Sequence, residues 1–267
     1  MIDKLRKSAE ERKTILCFGI DPVLEKIKGN GKTAQERIGS YFYDITDKLL
    51  EENAIAAIKP NYAFFARYGF DGLYSLEAII QRYRNKVPVI LDAKRGDIGS
   101  TSAAYADEAY NFWQADAVTV HPYMGSDSVK PFIRNGKMVY MLCRTSNPSA
   151  KEFEELECNG KTVYEHVAEK AVEWGTGIVV GATSDSIKKI VNITNGKHVP
   201  MLIPGIGAQG GDLDMVCNAI REDFPIHRIN ASSSIAYAYE KQQNKTPVEA
   251  ALNEANKLNE TIRKYMK

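Results

Sequence analysis

Along this chain, short apolar runs alternate with longer segments whose apolar residues recur at three- and four-residue steps. The runs occupy 14–20, 54–59, 87–94, 117–121, 138–144, 177–182, 201–203 and 228–231. Runs of this length, apolar on both faces, suit the strands of a covered parallel sheet. Between them, 34–53, 72–85, 101–114, 162–174, 184–194 and 211–222 carry helical periodicity, and 246–266 adds a final amphipathic helix opened by Thr246-Pro247. In 34–53, Ile38, Tyr41, Phe42, Ile45, Leu49 and Leu50 form one apolar face. Eight strand–helix units predict an α/β fold, the closed (β/α)8 barrel, because closure removes the sheet edges; an open doubly wound sheet is the competing arrangement. No internal repeat and no low-complexity linker interrupts the alternation. Residues 1–267 are therefore read as a single domain, of a size common for such barrels.

Composition narrows the class. Of the residues, 44% are hydrophobic and 26% charged, which provides a large core and excludes disorder, collagen and coiled coil. Lys plus Arg total 35 against 34 Asp plus Glu, so the net charge of +1 supplies no field for a nucleic-acid partner, and no local basic patch stands out. No apolar stretch approaches the roughly 20 residues of a membrane span, so no membrane partner is expected. The charged segment MIDKLRKSAEERK lacks a signal-peptide pattern, which makes a cytoplasmic location the expectation. Cys17, Cys143, Cys158 and Cys217 show neither CxxC spacing nor a nearby histidine cluster. They are expected to be reduced, mostly buried thiols rather than zinc ligands or disulfides.

In a barrel of this kind the active site gathers at the carboxyl ends of the strands, and here those ends are polar. The densest is Asp92-Ala93-Lys94-Arg95-Gly96-Asp97. In an extended strand Asp92 and Lys94 point the same way, and Lys59, ending the preceding strand, adjoins Asp92. Asp97 lies past the strand, within reach of the same site or of a neighbouring subunit. A Lys–Asp–Lys–Asp array keeps its lysines protonated and its aspartates ionised, which suits a proton-donating lysine and opposes a Schiff base. The same array also serves as a structural ion-pair network. The glycine-rich stretch from Pro204 to Gly211, after the seventh strand, offers backbone N–H groups to a phosphate or forms a tight turn. Asn61, Thr145, Ser146 and Asn147 suit the amide edge of a heterocycle or the hydroxyls of a sugar, and their residue types equally serve turns and caps. Asp21 suits ribose hydroxyls or opens the turn at Pro22. His121 has no carboxylate at ligand spacing in its segment, so it is read as a buried, hydrogen-bonded histidine and no metal site is expected.

DAKRGDIGST at 92–101, IKPNYAFF at 58–65, FGIDP at 18–22, TSNPS at 145–149 and PGIGAQGGD at 204–212 span nearly the whole chain. Together they resemble the orotidine 5′-phosphate decarboxylase family, in its longer-chain branch. The specific element is the DxKxxDIxxT signature with a lysine one strand earlier. The resemblance implies a cofactor-free carboxy-lyase that releases CO2 from orotidine 5′-monophosphate (OMP) to give UMP, the last step of de novo pyrimidine nucleotide synthesis. It implies that Lys94 protonates the C6 carbanion and that Asp92 sits against the substrate carboxylate. Lys59 would orient Asp92 and contact the ribose, Asp21 would bind the sugar, and Asn61 would line the ribose region. Ser146, with Thr145 as the alternative, would read the pyrimidine. Gln209, on the loop with Pro204 and Gly207, would touch the phosphate. It further implies a homodimer in which Asp97, Ile98 and Thr101 enter the partner's active site.

One position departs from the family pattern. Where Asn-x-x-Arg-x-Ile would carry a phosphate-clamping arginine, the chain reads Asn230-Ala231-Ser232-Ser233-Ser234-Ile235, with Ser233 in the arginine's place. Serine donates one hydrogen bond and lacks the charge and the fork of a guanidinium. The expectation is a complete catalytic array with a weakened phosphate site, unless another cation compensates. Two other functions stay in view: a metal-dependent barrel acting on a sugar phosphate, which a chelator would silence, and a nucleotide-binding barrel that binds a UMP-like ligand without turnover.

Overall fold

Each of the eight apolar runs forms a strand in the computed structural model, which describes residues 1–182, 186–206, 212–242 and 244–266. The strands are β1 (Leu16–Ile20), β2 (Ala57–Pro60), β3 (Ile90–Arg95), β4 (Ala117–Val120), β5 (Met138–Arg144), β6 (Gly177–Val180), β7 (Met201–Pro204) and β8 (Arg228–Ala231). All pair in parallel, in the order β2-β1-β8-β7-β6-β5-β4-β3. The two ends of that order meet through the bridges Ile58↔Val89 and Asn61↔Asp92, and Ile58 N–H donates to the Pro88 carbonyl at 3.1 Å. The sheet is thus the expected nearly closed barrel, and the open doubly wound alternative is set aside.

The alternation of side chains across each strand separates two apolar layers. Cys17, Ala57, Ile90, Ala117, Met138, Tyr140, Leu142, Val179 and Leu202 fill the barrel interior. Leu16, Phe18 and Ile20 of β1 belong instead to the larger layer beneath the helices. Helix Ala34–Glu51 buries Ile38, Phe42, Ile45 and Leu49 in that layer, and it begins at Thr33, whose Oγ1 accepts from Glu36 N–H at 3.1 Å. Helices Val163–Trp174 and Pro247–Ile262 both open with a capping box, Thr162 with Glu165 and Thr246 with Glu249. Segment 101–114 is an α-helix over Gly99–Asp107 continued by a π-helical turn at Glu108–Phe112. Of the described residues in segment 211–222, Leu213–Ala219 are helical, capped by Asp212.

Among the elements outside the periodic segments are helix Ile2–Arg12, the short helix Tyr62–Ala66 and a hairpin pairing Glu157–Cys158 with Lys161–Thr162. The first closes the bottom of the barrel. Met1 and Ile2 pack against the interior cluster, and the fully buried Arg228 donates to the carbonyls of Leu5 and His227 at 2.6 Å and of Pro225 at 3.0 Å. Burial without a carboxylate partner pushes the Arg228 guanidinium down to about 10. Cys17, Cys143 and Cys217 are buried and Cys158 is exposed, all four as free thiols. Among the described residues no helix is long and apolar enough to cross a membrane.

Candidate active site

The barrel mouth is organised by an irregularity in β3. Leu91 pairs with Val118 and Arg95 with Val120, so four steps along β3 match two along β4. The excess turns the backbone out of the ladder, and Lys94 adopts φ 45°. The far side of this bulge is anchored by Arg95, whose Nε and Nη2 donate to Glu108 at 3.0 and 2.6 Å while its guanidinium lies over the rings of Tyr62 and Tyr105. Asp92, at the near side, is 8% exposed and accepts from Lys59 Nζ at 2.8 Å, Lys94 Nζ at 2.6 Å and Thr119 Oγ1 at 3.0 Å. Burial opposes its charge, but Lys59 and Lys94 outweigh that cost and hold the carboxyl well below the usual carboxylate range. Lys59 is buried as well, and Asp92 with Asp21 lifts its ammonium above the ordinary value despite desolvation. The chemistry available is a fixed carboxylate between two cations, one buried and one, Lys94, facing the mouth.

Two cavities meet at this array. One of about 470 Å³ is lined on its polar side by Lys59, Asp92, Lys94, Thr119, His121, Thr145, Ser146, Asn147 and Glu154, and on its apolar side by Leu142, Phe153, Val179 and Leu202. The other, of about 220 Å³, is lined by Asp21, Asn61, Gly205, Ile206, Asn230, Ser232, Ser233 and Ser234, with Lys59, Asp92 and Pro204 shared between the two. Among the described residues, three buried polar atoms on the smaller cavity have no hydrogen-bond partner: Asp21 Oδ1, Asn230 Oδ1 and Ser234 Oγ. Buried groups of this kind are normally paired, so they mark a surface built for a polar ligand. Two glycines make the walls possible. A Cβ on Gly19 would fall 1.9 Å from Ser232 Oγ, and one on Gly181 would fall 2.7 Å from the Cα of Ser146.

Comparison with known proteins gives this geometry a family. Residues 14–244 match the orotidine 5′-phosphate decarboxylase / HUMPS family. The chain belongs to that family. A curated orotidine 5′-phosphate decarboxylase from Cupriavidus metallidurans is 41% identical over 272 residues, covering 98% of this chain and 97% of its own. The solved structure of Leishmania donovani OMP decarboxylase is similar with a TM-score of 0.81 and 32% identity, each chain being covered to 98%. Leishmania donovani UMP synthase has the same TM-score at 35% identity; the match covers 96% of this chain and 55% of that longer one.

The orotidine 5′-phosphate decarboxylase family motifs fall unevenly on the site. Lys59, Asp92 and Lys94 are brought together, and Thr145, Ser146, Asp21, Asn61, Pro204 and Ser233 line the two cavities. Some carry local duties too: Asn61 Oδ1 caps helix Tyr62–Ala66 by accepting from Ala63 N–H, and Thr145 donates its N–H and its hydroxyl to the Glu154 carboxylate, each at 2.8 Å. Asp97, Ile98 and Thr101 line neither cavity; the Asp97 carboxylate accepts from Ile98 N–H at 2.8 Å, and Ile98 is 55% exposed. Gly207 and Gln209 lie outside the described residues. His121 corrects an expectation: its ring is exposed, lines the larger cavity and makes no hydrogen bond among the described residues. Desolvation and the neighbouring Lys94 lower its pKa against a weaker opposing pull from Glu154. Thr119 and Glu154 are site residues that spacing alone passed over. Thr119 alternates with apolar neighbours on β4, and Glu154 sits in an irregular loop.

Proposed function

We propose that the protein decarboxylates orotidine 5′-monophosphate to UMP and CO2 without a cofactor, completing de novo synthesis of the pyrimidine nucleotide. The observation that carries this reading is the Lys59–Asp92–Lys94 array at the junction of two cavities, in a chain of this family. The pyrimidine occupies the larger cavity, read by Ser146 with Thr145 beside it. The ribose lies over Lys59, Asp21 and Asn61, and the phosphate lies toward Pro204, Gly207, Gln209 and Ser233. Asp92 faces the substrate carboxylate. The C6–carboxylate bond breaks, neutral CO2 leaves, the electron pair stays on C6, and the Lys94 ammonium stabilises that charge and then donates its proton to it. Lys59 holds Asp92 in place through the 2.8 Å contact.

The homodimer forms part of the same proposal. Asp97, Ile98 and Thr101 sit beside the mouth but outside this chain's own cavities. Ile98, Tyr123 and Met124 leave 55%, 90% and 41% of their surfaces exposed around it, a pattern suited to a partner's mouth. The test is the ultraviolet absorbance change of orotidine 5′-monophosphate mixed with the protein in EDTA, with Lys94→Ala alongside. Turnover in EDTA that vanishes in the variant is the expected result. Turnover lost to EDTA, or unchanged in Lys94→Ala, overturns the reading.

A further inference from the structure

The bulge in β3 removes the Lys94 N–H from the ladder with β4, because Val118 and Val120 already pair with Leu91 and Arg95. The β4 residue between them is Thr119, 1% exposed. Its Oγ1 accepts from Lys94 N–H at 2.9 Å and donates to Asp92 Oδ1 at 3.0 Å. One hydroxyl therefore ties the main chain of one member of the array to the carboxylate of another. The Lys94 backbone has φ 45°, a conformation that L residues avoid and that persists only where the surroundings impose it. We propose that Thr119 is a positioning residue: it holds Lys94 in the bulge and fixes the plane of the Asp92 carboxylate, so that ammonium and carboxylate face the reacting carbon in register. This rests on the reading that Lys94 and Asp92 carry the decarboxylation. Thr119 would then act on the chemical step and leave affinity for the nucleotide untouched, since the ribose and phosphate groups are held by the other cavity.

Valine matches threonine in shape and lacks both hydrogen-bonding capacities, whereas serine keeps them. Thr119→Val, Thr119→Ser and Lys94→Ala are compared by kcat, KM, UMP affinity and melting temperature. A lost hydrogen bond to a charged group corresponds to about tenfold to a hundredfold. The expected result is that fall in kcat for Thr119→Val, with KM and UMP affinity within about threefold of the parent, near-parental kcat for Thr119→Ser, and an inactive Lys94→Ala. Parental kcat in Thr119→Val beside an inactive Lys94→Ala overturns the positioning role. So does an equal loss in Thr119→Ser, or a loss that tracks weakened UMP binding or a lowered melting temperature, since these indicate a merely structural side chain. Full activity in Lys94→Ala instead removes the underlying reading.

Discussion

His227 should make the stability of this barrel fall on mild acidification, and by a calculable amount. The residue precedes β8 and is 4% exposed; its Nδ1 accepts from Met201 N–H at 3.0 Å, which requires that nitrogen to be unprotonated. Burial dominates its titration and outweighs the opposing effects of the Glu222 carbonyl and Asp223, taking the pKa from the ordinary 6.5 to about 4. Between those values the unfolded chain binds a proton that the native protein refuses, so stability drops as pH falls below about 6.5 and the loss is complete below about 4. A displacement of that size corresponds to about 3 kcal/mol in full, of which roughly two thirds appears between pH 7 and pH 4.5. In His227→Asn the amide oxygen can replace Nδ1 as acceptor, but nothing titrates. Urea unfolding of both proteins at pH 7 and pH 4.5 isolates the difference, because every other group is common to the pair. The parent should lose about 2 kcal/mol more than the variant over that interval. Equal losses would refute the claim that a neutral, buried His227 is a condition of the native state.

Two further outcomes follow from the smaller cavity. Ser233→Arg places a guanidinium where the only described cation is Lys59; an added charge-assisted phosphate contact of about 1.5–3 kcal/mol should raise kcat/KM for the phosphorylated substrate tenfold or more. The unphosphorylated nucleoside should change little, and steady-state kinetics with both substrates checks this; no gain with the phosphorylated one would show that another group already fills the role. Gly19→Ala drives a methyl into Ser232 Oγ and disrupts its 3.2 Å hydrogen bond from Asn230 Nδ2. It should cost about 1–3 kcal/mol of stability and raise KM, seen by thermal unfolding and kinetics, and parental values for both would count against this view of the cavity floor.

The strands could be read from the chain because burial on both faces leaves uninterrupted apolar runs, and 138–144 and 228–231 agree with β5 and β8 to the residue. Burial and ladder pairing are not the same property, however. Val87 and Val89 are buried in the run 87–94, yet β3 begins only at Ile90. The array itself was legible in its members and not in its route. Strict alternation would put Asp92 and Lys94 on one face, but the two meet across a bulge with Lys94 at φ 45°, a local conformation that no period-two pattern encodes. A histidine after an apolar strand resembles a core residue, whereas His121 is exposed and lines the larger cavity. Helix Ile2–Arg12 is not legible in the pattern because its charged residues mask a narrow buried stripe of Leu5, Ser8 and Ala9.

The floor of the barrel has a consequence for how the chain is made. Arg228 reaches back to the Leu5 carbonyl across 223 positions, and β1 gains its second neighbour only when Leu16 meets Ile229. Until β8 leaves the ribosome, the seven preceding strands have open edges at β1 and β7, and the Leu5 carbonyl of the amino-terminal helix lacks its Arg228 donor. Pairings this distant in sequence form slowly, and unpaired strand edges recruit other chains. Chains stalled or truncated ahead of residue 228 should therefore accumulate as aggregates rather than as soluble partial barrels.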